Sequence, residues 1–97
     1  MKTKEEIVEI LKQELPYLKK KYGITDIGMA GSYARGEARP NSDIDIIVKI
    51  ESRISLLDFI HVENYLTEKL GTKVDLVDID NIKPRIKPYI LEDAVYA

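Results

Sequence analysis

Apolar residues between Thr3 and Tyr22 fall at Ile7, Ile10, Leu11, Leu15, Leu18 and Tyr22, spacings that keep to one face of a helix. Thr3 with Glu6 has the form of a capping box, and Lys19-Lys20-Lys21 ahead of Gly23 that of a helix C-terminus, where cations sit well against the dipole. That lysine run reads as a solvated helix end. Pro16 interrupts the pattern; a mid-helix proline costs about 3 kcal/mol and is expected to kink or divide this helix.

Beyond Gly23 the period changes. Ile24 to Ala30 reads as a strand ending at Gly31-Ser32, and Ser42 to Ile50 as a second, with Ile44, Ile46, Ile47 and Val48 supplying β propensity. Between them Ser32 to Gly36 suggests one helical turn and Glu37 to Asn41 a polar loop. Helical period returns from Ser55 to Leu70, with Leu56, Phe59, Ile60, Leu66 and Leu70 on one side, Glu63 the exception, and Gly71 the stop. Val74 to Val77 is a third strand, and Pro84 opens a last short helix through Leu91. The order α-β-α-β-α-β-α predicts an α/β or α+β domain, a small mixed β-sheet with helices packed on it.

Size and charge narrow the functions open to it. With 97 residues the chain reads as a single domain, 1–97, with no room for a second. It has 33% charged and 44% hydrophobic residues, an ordinary globular balance. No apolar run approaches the ~20 residues of a membrane helix, and the polar start points to the cytoplasm. The absence of cysteine excludes disulfide frameworks and thiolate metal sites. A net charge of −2, from 15 basic and 17 acidic residues, argues against a broad nucleic-acid footprint.

The candidate chemistry begins at Gly31-Ser32-Tyr33-Ala34-Arg35-Gly36, followed after six residues by Asp43-Ile44-Asp45. Side chains alternate along a strand, so Asp43 and Asp45 leave the same face, about 6–7 Å apart at the backbone. No obvious partner lies nearby in sequence, and a hard divalent cation, magnesium or manganese, would relieve their repulsion. Asp75, flanked by aliphatics in the third strand, would complete three carboxylates if that strand neighbours the first pair, a number suited to two-metal phosphoryl chemistry. Gly31-Ser32 ends a strand and opens a helical turn, where free backbone N–H groups favour phosphate. Arg35 and Arg39 follow, with planar forks that pair with phosphates. Together these residues describe a nucleoside triphosphate site.

Other readings of the same residues fall away or stay open. Asn41, Asp43 and Asp45 match the first ligands of a calcium-binding EF-hand loop, but Ile46 stands where glycine is needed and Ser52 where glutamate is needed. A Walker loop fails because Glu37 follows Gly36. Ser42 reads as a turn residue bonding locally, and His61, the one histidine, as helix surface. Tyr33 either stacks on a nucleotide or packs inward, and Arg35 either meets phosphate or braces its loop. Lys83, Arg85 and Lys87 read as a solvated face.

Gly31-Ser32-x-Ala34-Arg35-Gly36, Ser42-Asp43-x-Asp45 and the later Asp75 resemble the minimal nucleotidyltransferase family, a branch of the DNA polymerase β-like superfamily, over nearly the whole chain. The resemblance implies a palm-like fold and transfer of AMP from ATP, with two magnesium ions, to a tyrosine hydroxyl of a HEPN-domain ribonuclease toxin. The chain would be that toxin's antitoxin and would form a hetero-oligomer with it. It also implies roles: Asp43, Asp45 and Asp75 as metal ligands at the α-phosphate, and Gly31 and Ser32 against the β- and γ-phosphates. Two other functions remain open from the sequence: an antitoxin that neutralises by binding alone, and a transferase for a small molecule.

Overall fold

The first helix starts as its sequence announces. Thr3 Oγ1 accepts from the Glu6 N–H at 3.1 Å while Glu6 Oε1 accepts from the Thr3 N–H at 3.0 Å, and this pairing holds the exposed Glu6 carboxyl below its usual range. In the computed structural model, which describes residues 1–97, the elements are α1 (Lys4–Tyr22), β1 (Ile24–Ala30), α2 (Gly31–Arg35), β2 (Ile44–Ile50), α3 (Leu56–Leu70), β3 (Val74–Asp78), α4 (Lys87–Glu92) and β4 (Val95–Tyr96), with a 3-10 turn at Ile79–Asn81. Against expectation α1 runs through Pro16 undivided. Pro16 is exposed, and buried Ile7 and Leu11 before it and Leu18 and Tyr22 after it pin both halves to one core.

The sheet is mixed, in the order β3-β2-β1-β4. β1 is antiparallel to β2 and to β4, while β2 and β3 run parallel, joined by the α3 crossover that parallel neighbours require. Ile44, Ile46 and Val48 of β2 join Ile27, Met29, Val74 and Leu76 in the core with α1 and α3. The alternate positions Asp45 and Ile47 therefore face the other way, where α4 partly covers them. β4, two residues long, carries too little pattern to be legible in the sequence. It pairs with Gly28 and Met29, and a Cβ on Gly28 would stand 2.8 Å from the Val95 carbonyl oxygen.

Helix α3 corrects the expected face. Val62, Leu66 and Leu70 are buried, whereas Leu56 and Ile60 are exposed. Glu63, the polar exception, serves the sheet instead. Its Oε2 accepts from the Leu76 N–H at 2.8 Å, and Thr67 Oγ1 accepts from the Val74 N–H at 3.0 Å. These bonds occupy the outer edge of β3, which no strand covers. Glu63→Ala is therefore expected to cost about 1–3 kcal/mol by stranding the Leu76 amide, and to raise self-association at that edge. Denaturant unfolding and light scattering check this, with exposed Asn64→Ala expected within ~0.5 kcal/mol of the native chain.

Candidate active site

Three strands bring Gly31, Asp45 and Asp75 of the predicted residues to one place. Ala30, the last residue of β1, is the register partner of Asp45 in β2, and Asp45 is the partner of Asp75 in β3. Gly31, Arg35, Asp45 and Asp75 line one cavity of about 480 Å³. Asp43 lies two residues before Asp45 but ahead of β2, which begins at Ile44 rather than Ser42. Strand alternation therefore does not fix its side, and it stands outside the cavity lining.

The carboxylates crowd one another. Burial, then the charges of Asp75 and Asp43, push the Asp45 carboxyl above its usual range, and Arg35 offsets part of this. Asp43 is not as partnerless as the sequence suggests: its Oδ2 stands 3.8 Å from Lys73 Nζ, with both side chains well exposed, a pair worth at most about 1 kcal/mol. No three acidic or imidazole side chains stand together tightly enough to grip one ion; Asp43 pairs with Lys73, while Asp45 and Asp75 line the cavity. The donors nonetheless suit a hard divalent cation. They are carboxylate oxygens, and the crowding that raises Asp45 is what such an ion would relieve.

Gly31 is required twice over. Its φ is +69°, and a Cβ there would fall 2.1 Å from Asp45 Oδ2. The backbone thus passes directly over the carboxylate and turns into α2, whose N-cap, Ala30, has no side chain to satisfy the leading N–H groups. Ser32 follows, half-buried and off the cavity wall.

Arg35 both lines the cavity and braces its loop: Nε is 2.9 Å from Glu37 Oε1, and Nη1 is 3.8 Å from Asp93 Oδ2. Arg39 is exposed and outside the cavity. Its N–H donates to Ser42 Oγ at 2.9 Å, the local bond expected of Ser42. Tyr33 is buried, which leaves it the packing role. His61 and the Lys83, Arg85 and Lys87 stretch make no ion pair. Sequence reasoning missed the wall that α4 adds, Ile86, Tyr89 and Ile90. The available signal was their spacing on one side of a helical turn.

Residues 4–97 match the family model described as a nucleotidyltransferase domain. The protein adenylyltransferase MntA of Thermococcus cleftensis is 45% identical over 96 residues, covering 99% of this chain and 97% of that one. A solved structure provisionally named a minimal nucleotidyltransferase superposes with a TM-score of 0.76 at 32% identity, over 93% of this chain and 92% of that one. A Shewanella oneidensis complex of a tri-AMPylated HEPN toxin with an MNT antitoxin shares the fold, with a TM-score of 0.62 at 20% identity, over 96% of this chain and 66% of that one. No helix is long and apolar enough to cross a membrane.

Proposed function

The chain belongs to the nucleotidyltransferase domain family, and from that premise we propose that it is an antitoxin that transfers AMP from ATP to a tyrosine hydroxyl of a HEPN-domain toxin in the cytoplasm. The observation that carries this reading is the single cavity shared by Gly31, Asp45 and Asp75. The adenylyltransferase name of a relative at 45% identity and the AMPylated partner in a complex of the same fold support it.

Asp43, Asp45 and Asp75 would hold two magnesium ions, or manganese in their place, which when bound neutralise charge on the α-phosphate and acidify the acceptor hydroxyl. The N–H groups after Ala30, at Gly31 and Ser32, donate to the β- and γ-phosphate oxygens. Arg35, held by Glu37 and Asp93, keeps a positive charge at the cavity wall. The tyrosine oxygen forms its bond to the α-phosphorus as the bond to the bridging oxygen breaks and pyrophosphate leaves. An Asp75 oxygen takes the hydroxyl proton and returns it to water.

Incubation with α-labelled ATP, magnesium and a candidate HEPN-domain partner, sought first in the adjacent open reading frame, is expected to label that protein on tyrosine. Absence of label, together with an Asp43→Asn/Asp45→Asn variant that still neutralises the toxin in cells, would leave neutralisation by binding alone.

A further inference from the structure

The cavity that holds Asp45 and Asp75 has two unlike halves. Gly31, Arg35 and the two carboxylates make one; Ile47, Val77, Ile86, Tyr89 and Ile90 make the other. In that second half the Tyr89 hydroxyl is the one polar side-chain group. Ile86, Tyr89 and Ile90 stand at i, i+3 and i+4, one side of a helical turn, facing the sheet surface of Ile47 and Val77. Tyr89 is 76% exposed, and no ring stacks on it. A large aromatic left open at the lip of an otherwise aliphatic wall has an unused face beside the site of charge.

An amphipathic ligand matches this division: charged phosphates against Gly31 and Arg35, and a flat apolar group against α4. We infer that α4 forms the nucleobase subsite, with Tyr89 as the stacking platform and Ile86 and Ile90 as its floor. The inference rests on the proposed reading of the carboxylate half as a triphosphate site. It goes further in naming how the base is held. The Tyr89 hydroxyl is the one side-chain donor or acceptor in the apolar half, and every base has a π-face. Selection therefore follows stacking area, purine over pyrimidine, with little discrimination between adenine and guanine.

The test is nucleotide binding by the full chain with magnesium, measured by calorimetry without an acceptor. ATP and GTP are expected to bind within about threefold of each other and more tightly than CTP. Tyr89→Ala should weaken ATP roughly tenfold and Tyr89→Phe by less than about twofold, as stacking without a required hydroxyl predicts. Since the chain has no tryptophan, Tyr89→Trp supplies a single reporter whose fluorescence should fall when ATP binds and stay unchanged with inorganic triphosphate. If native chain binds ATP but Tyr89→Ala binds equally well, the α4 subsite is overturned and the triphosphate site stands. A preference for ATP over GTP of a hundredfold would overturn stacking as the selector. If native chain binds no triphosphate, both the site and the subsite are overturned.

Discussion

Asp45→Asn is expected to remove AMP transfer, by on the order of 10³-fold or more, while leaving the folded chain as stable as the native one or slightly more so. The loss of activity follows from the position of Asp45, opposite Asp75 in register and directly beneath Gly31. Electrostatic support for a reacting phosphate is worth several kcal/mol, and each ~1.4 kcal/mol is a factor of ten in rate. The stability result follows from the raised Asp45 pKa, whose first cause is burial and whose second is Asp75. A carboxyl with its folded pKa above the unfolded value is disfavoured when charged. Its burden is absent below the ordinary value of 3.8, grows as pH rises through the window up to the raised folded value, and persists at neutral pH. Asparagine carries no such charge, so the variant's advantage should vanish in acid and show near neutrality. If the carboxylates hold magnesium as proposed, the ion is expected to reverse the ranking: it should raise the native midpoint, because an ion that binds only the folded state stabilises it, and raise the variant's less. Thermal unfolding across pH, with and without magnesium, reads both effects. Transfer within tenfold of native would remove Asp45 from the reaction.

Gly31, Arg35 and Asp45, which share the cavity, were legible because they depend on short-range regularities. Alternation along one strand is the basis for expecting Asp43 and Asp45 on one side, but β2 starts only at Ile44 and Asp43 stands beside Lys73 outside the cavity. A glycine-serine step before a helical turn is enough to suggest exposed amides. Asp75 was legible by chemistry, as a lone acid among aliphatics, but its register opposite Asp45 depends on how α3 returns the chain. Tertiary arrangement also decided α3, where Leu56 and Ile60 fit the same helical period as Phe59, Leu66 and Leu70. The sheet took the arc through Val62, Leu66 and Leu70, with Glu63 turned to the β3 edge. Lys73 lies thirty residues from Asp43, and the α4 wall reaches the cavity only because the chain folds back across the sheet. Pro16 does not divide α1 because propensity considers the helix alone, whereas buried side chains on both sides of the proline hold the helix together.

Gly31→Ala should act on both stability and activity. An alanine at φ +69° occupies a conformation that costs an L-residue about 1–2 kcal/mol. The added Cβ also meets Asp45 Oδ2 at 2.1 Å, so either the backbone or the carboxylate has to move. Moving the carboxylate is the softer response, since it ends a side chain while Gly31 is fixed between β1 and α2. The variant should therefore lose about 1–3 kcal/mol of stability and most of its transfer activity, as a 1 Å misplacement alone can cost about 10²-fold. Asp45→Ala separates the two causes. In that background the oxygen is gone, and only the backbone cost of Gly31→Ala remains. The stability penalty should fall toward the left-handed cost alone, a non-additivity of about 0.5 kcal/mol or more for residues in contact. Equal penalties in both backgrounds would mean that the carboxylate yields freely, and that Gly31 is needed for its turn and not for the closeness of its backbone to Asp45.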